Sequence, residues 1–196
     1  MEKILIEYFS KFRPLTEAEQ DIILKDLEIS IVKKGTILLR EGDSFQDNYF
    51  VIKGCVRQYY LVNGEEKTSN FFTEEEWILP VSSNEDDKLS PYYLECVEEC
   101  ALVVANDQKG NEMLKQFPAF QELSMLILQS EIAKQQAEFA RYITNSPEQR
   151  YMDVQAKRPK LLQRVPQYQL ASYIGVKPES LSRIRKRIAN YPRHKK

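Results

Sequence analysis

With 196 residues, 42% of them hydrophobic and 29% charged, the chain can hold one domain of ordinary size plus a small one, and it has apolar content enough for packed cores. No apolar run approaches the roughly 18–20 residues of a membrane span, and MEKILIEYF carries Glu2 and Glu7 where a signal peptide would be basic, so a cytoplasmic protein with no membrane partner is expected. The formal net charge of -1 hides an asymmetry: residues 1–153 hold sixteen Lys/Arg against twenty-eight acids, whereas residues 154–196 hold twelve against Glu179 alone. A basic end on an acidic body suits binding of a polyanion through that end only.

Thr16 to Glu19 is a T-x-x-E capping box ahead of Ile22, Ile23 and Leu27, which predicts a short helix over about 16–27. From Glu28 to Ala105 short runs rich in Ile, Val, Tyr and Phe alternate with Gly35, Gly42-Asp43, Gly54 and Asn63-Gly64, the last a two-residue hairpin signal. This spacing predicts a β-sandwich or roll. Residues 84–91, NEDDKLSP, are acidic and turn-rich and predict an exposed loop. Cys55, Cys96 and Cys100 are an odd number without a dense framework, so they are expected as buried or free thiols, with a redox pair at Cys96 and Cys100 as the alternative.

Neither glycine nor proline interrupts the stretch between Pro118 and Pro147, which predicts one long helix. Along it Leu123, Leu126, Ser130, Ala133, Ala137 and Ala140 follow a 3–4 spacing that predicts a narrow seam to a second copy of the chain. A second stripe with Ile132, Phe139 and Ile143 is expected to pack against the chain's own domains. The alternative is that both stripes bury in one monomer core. Ser146 to Gln149 forms an S-x-x-Q capping box with Pro147 at the first helical position, which places a hinge near residue 145. The expected units are residues 1–117, 118–145 and 146–196.

Residues 166–188, PQYQLASYIGVKPESLSRIRKRI, carry the pattern of a DNA-reading helix-turn-helix. Leu170, Ala171 and Ile174 give a first helix its apolar stripe, Gly175 permits the sharp turn, Pro178 opens a second helix, and Leu181, Ile184 and Ile188 face inward. The positions left for nucleic acid are Gln169, Lys177, Glu179, Ser180, Ser182, Arg183, Lys186 and Arg187.

KGTILLREGD followed by NYFVIKGCVRQYY, then the long helix, then LASYIG and ESLSR, resembles the Crp/Fnr family of bacterial transcription regulators over nearly the whole chain. The resemblance implies an α+β protein: an N-terminal double-stranded β-roll of the cyclic-nucleotide-binding type, a dimerisation helix, and a C-terminal winged-helix or helix-turn-helix domain. It implies a homodimer on palindromic double-stranded DNA, and it admits RNA polymerase and a small-molecule effector of unknown identity as further partners. In the family the recognition helix often begins with an arginine where Pro178 stands; Glu179, Ser180 and Arg183 match.

Family members that bind cyclic AMP use a Gly-Glu-Leu segment and an Arg-Ser/Thr-Ala segment. Here Trp77–Val81 and Ser90–Tyr93 stand near those places without the Glu or the Arg, and no arginine occurs between Arg57 and Arg141. Lys67 and Lys88 offer only flexible point charges. A tight cyclic-nucleotide site is therefore not expected, and neither is a cofactor: three cysteines are short of an iron–sulfur ligand set, and the single His194 lies in the basic tail. The aromatics Tyr59, Tyr60, Phe71, Phe72, Trp77, Tyr92 and Tyr93 are expected as roll core, with an effector cavity as the alternative. An enzyme is disfavoured because one histidine and no nucleophile–base pair build neither a metal site nor a catalytic one. The remaining alternative is a β-roll interaction module whose basic tail binds an acidic protein or RNA.

Overall fold

Two four-stranded antiparallel sheets pack against each other in the N-terminal part of the computed structural model, which describes residues 2–25, 28–45, 47–80, 89–106, 110, 114–115 and 117–190. The first sheet runs β1 (Ile29–Val32), β8 (Cys100–Asn106), β3 (Asp47–Lys53), β6 (Trp77–Ile78); the second runs β2 (Ile37–Leu39), β7 (Tyr93–Cys96), β4 (Val56–Val62), β5 (Glu65–Phe72). Alternation along the strands turns Leu39, Val51, Val56, Phe72, Leu94 and Leu102 into the layer between them. Asn63 and Gly64 both have positive φ and join β4 to β5 with Val62 opposite Glu65, the hairpin expected from that dipeptide. All three cysteines are buried and unpaired.

A helix that the sequence reading passed over, α1 (Glu2–Ser10), precedes α2 (Glu17–Lys25). The Thr16 box forms: the Thr16 N–H donates to Glu19 at 2.9 Å and the Glu19 N–H to Thr16 Oγ1 at 3.3 Å. Both helices cover the outer face of the first sheet together with Phe120, Leu123 and Ile127 of α3 (Pro118–Thr144). Leu123 is thus withdrawn from the expected seam: it is 2% exposed within its own chain, because it shares a helix face with Phe120 and Ile127 that lies on the roll.

The second stripe is corrected in the opposite sense. Ile132, Phe139 and Ile143 are 47%, 66% and 65% exposed, and Met125 and Leu128 join them on one exposed side of the helix, with Phe139 at its edge toward the roll. Ser130, Ala133, Ala137 and Ala140 are also exposed, on a separate face, and Leu126 is half-buried. Residues 81–88, most of the expected acidic loop, lie outside the described residues; at its end Leu89 bridges Ser44 and Ser90 is buried, accepting from the Tyr92 N–H and donating to the Tyr92 carbonyl.

Beyond α3 come α4 (Pro147–Lys157), α5 (Leu161–Arg164), α6 (Gln167–Ile174) and α7 (Pro178–Asn190). The Ser146–Gln149 capping box forms in both directions. No strand flanks these helices among the described residues, so the C-terminal part is a helix-turn-helix without a described wing.

Candidate nucleic-acid interface and the cleft behind it

The turn between α6 and α7 has the geometry a helix-turn-helix requires. Gly175 sits at φ +80°, its N–H reaches the Ala171 and Ser172 carbonyls, and the Val176 N–H closes back onto Ala171 at 2.9 Å. Leu170, Ala171, Ile174, Leu181 and Ile184 are buried in one cluster with Tyr151, Val154 and Leu161. The opposite side of α7 and the turn before it expose Lys177, Glu179, Ser182, Arg183, Lys186 and Arg187, with Ser180 half-buried. Arg183 Nε lies 3.4 Å from the Glu179 carbonyl, and Arg187 pairs with Glu148 at 3.1 Å.

Gln169 does not belong with them. It precedes Leu170 on the buried side of α6 and is 4% exposed; its Nε2 donates to the Tyr168 hydroxyl at 3.3 Å, and its Oε1 has no partner among the described residues. An exposed pair on that side is Gln167 and Arg185, 2.7 Å apart, which the sequence reading left out although both lie within its motif.

Arg150 fastens the motif to the long helix. Its Nη1 donates to the carbonyls of Tyr142 (2.7 Å) and Asn145 (3.0 Å), its Nε donates to Ile174 (2.9 Å), and its guanidinium lies 4.5 Å from the centre of the Tyr142 ring. One cation therefore meets the carbonyl-rich ends of α3 and α6 together.

The helical domain is docked on the second sheet. Ser172 Oγ accepts from the Thr68 N–H at 2.9 Å and donates to the Glu66 carbonyl at 3.0 Å, which satisfies part of the free edge of β5. Arg158 bonds the Phe71 carbonyl, Thr73 and Glu76; Arg164 takes Glu74 bidentately at 2.7 and 2.8 Å and Glu98 at 3.0 Å. Burial pushes the Glu74 carboxyl up, but hydrogen bonds from Arg164 and the Gly54 N–H hold it below its ordinary value, and Glu74 and Glu98 keep Arg164 firmly charged. Phe71, Cys55 and Val97 of the roll share an apolar cluster with the helices. Beneath this contact Arg57, 1% exposed, is held by Thr68 (2.9 Å) and Glu66 (2.6 Å).

Between roll, α3 and α4 opens a cleft of about 1220 Å³. The two segments expected near a cyclic-nucleotide site do meet there, but they present Ile78, Leu79, Pro91 and Tyr92 to it. Phe72 and Tyr60 line it too, whereas Phe71 faces the helical domain and Trp77 packs under α1. Lys67 is at the wall, paired with Glu65 at 2.5 Å; Lys88 lies outside the described residues.

Residues 30–117 match the cyclic nucleotide-binding domain family. No curated protein is similar enough in sequence to count as a relative. Among solved structures, a putative crp/fnr-family transcriptional regulator from Eubacterium rectale is 17% identical with a TM-score of 0.67, covering 93% of this chain and 88% of its own. The c-di-GMP responsive global regulator CLP of Xanthomonas campestris is 18% identical with a TM-score of 0.65, covering 85% and 88%. The catabolite activator protein of Thermus thermophilus is 20% identical with a TM-score of 0.54, covering 91% and 85%.

Proposed function

We propose that this chain, which has the fold of the Crp/Fnr regulators and whose residues 30–117 belong to the cyclic nucleotide-binding domain family, is a DNA-binding transcriptional regulator. The observation that carries the reading is the α6–Gly175–α7 turn, with Lys177, Glu179, Ser182, Arg183 and Lys186 exposed beside it on the basic end of the chain. That side-chain set reads base edges and phosphates in a major groove. A basic tail that bound an acidic protein or RNA would need charge but not this turn.

The regulator acts as a homodimer on a palindrome. Its seam is the face of α3 with Met125, Leu128, Ile132 and Ile143, in place of the small-residue stripe, because large apolar side chains left in water are what a second copy gains most by covering. Cyclic AMP is not the effector: the roll offers apolar side chains where that ligand needs a carboxylate for its ribose and a guanidinium for its phosphate. Selection of bound sequences from random duplex DNA tests the reading. An enriched palindrome with half-sites about one helical turn apart, roughly 10 base pairs or a multiple, is expected; enrichment of single sites or of nothing overturns it.

A further inference from the structure

The cleft has an imbalance that the docked domains do not use up. Among the described residues six cations line it against three carboxylates; four of the six come from α3 and α4, Arg158 directly follows α4, and only Lys67 comes from the roll. Lys134 and Arg158 share Glu76, at 2.5 and 3.1 Å, and Lys157 lies 3.9 Å from Asp153. Arg150 is spent on carbonyls. Arg141, half-buried in the wall, has no side-chain partner among the described residues. Glu138, the third carboxylate, lines the same cleft one turn away but forms no ion pair with Arg141, and a half-buried guanidinium that faces a concave surface without an ion-pair partner is an anion site in waiting.

The remaining walls are aromatic, and they come from three bodies: Tyr60 and Tyr92 from the roll, Phe139 and Tyr142 from α3, Tyr173 from α6. Rings offered from several sides favour a flat apolar body over a flexible chain. A phosphate ester is a poorer fit, since it wants several unspent donors and the other two arginines are already committed.

We propose that the cleft binds a planar aromatic carboxylate, its charge set against Arg141 and its ring among the tyrosines and phenylalanine of roll and long helix. As the effector of the regulator it rests on the reading above. As a ligand it stands on the cleft alone, so a protein that binds the acid but selects no DNA sinks that reading and keeps this one.

The test is calorimetric titration of the full chain, without DNA, with 1-naphthoate and with two probes of the same body, 1-naphthylmethanol and 1-naphthylmethylamine. The acid is expected to bind about tenfold more tightly than the alcohol, and the amine more weakly than either. Arg141→Gln, which removes no described contact and so leaves the fold intact, is expected to cost the acid about tenfold and to erase its advantage over the alcohol. Tyr92→Leu is expected to weaken acid and alcohol alike. Equal binding of acid and alcohol, no binding of the acid up to about 1 mM, or an unchanged acid affinity in Arg141→Gln overturns the proposal.

Discussion

At the scale of single residues, Arg183 and Lys186 lie three apart on α7 and should act differently. Arg183 can present two parallel donors to guanine O6 and N7, with Glu179 one turn away to accept from a cytosine amine and steer it. Arg183→Ala is expected to cost about 1–3 kcal/mol on the selected site and to flatten preference at one G·C pair per half-site, read by competition binding. Lys186→Ala should weaken all sequences evenly and reduce the salt slope by about 1. An unchanged base preference in Arg183→Ala would remove α7 from base reading. Gly175 is constrained twice over. Its φ of +80° disfavours any side chain, and a Cβ there would lie 2.9 Å from the Tyr142 hydroxyl and 3.2 Å from Arg150 Nη2. Gly175→Ala should cost about 1–2 kcal/mol, which at about 2–4 °C per kcal/mol for a chain of this size lowers the melting temperature by about 2–8 °C. The sequence reading needed glycine there only for the turn; contact with the end of α3 comes from a tertiary packing that no local pattern encodes.

At the scale of elements, local chemistry was legible and facing was not. Both capping boxes, the Asn63-Gly64 hairpin and the helix-turn-helix corner form as the residues suggest, because each is decided by partners within five residues of one another. Which face of α3 meets the roll depends instead on where β3 and β8 present Phe50, Ala101 and Val103, and a spacing rule cannot say which of two stripes is covered. Ile132→Glu puts like charges into the proposed seam and should yield monomers by sedimentation, whereas Ala133→Glu on the neighbouring face should leave the dimer intact. The reverse result would restore the small-residue seam. The α2 cap carries a pH signature. Hydrogen bonds from the Arg13 side chain, then from the Thr16 N–H, bring the Glu19 carboxyl from about 4.5 to about 2 in the folded protein. A depressed carboxylate contributes stability that is complete above its unfolded value and is lost as pH falls through its folded one. The α1–α2 region should therefore loosen between about pH 4.5 and 2, seen as faster amide exchange in α2, and Arg13→Gln should move that loosening to higher pH.

At the scale of the whole molecule, the charge asymmetry has a second meaning beside its attraction to a polyanion. The acidic roll is itself a polyanion, and the basic domain is seated on it. None of Arg158, Arg164 and Ser172 stood out in the sequence, since their partners lie 66 to 106 residues away in the chain. Arg164 is the best single probe of this contact, because it holds Glu74 and Glu98 at once while only 19% exposed. Surface ion pairs contribute little, but a largely buried guanidinium that takes one carboxylate bidentately leaves two acids facing each other when it is removed. Arg164→Ala should cost about 2 kcal/mol, and at about 2–4 °C per kcal/mol for this chain length the transition should fall by about 4–8 °C. The same variant should raise exchange at the Thr68 N–H, whose acceptor is Ser172 across the interface, while leaving the interior of β8 protected. If Thr68 stays protected in Arg164→Ala, the two halves are held by the apolar cluster around Phe71 and Tyr173, and the ion pairs only decorate its rim.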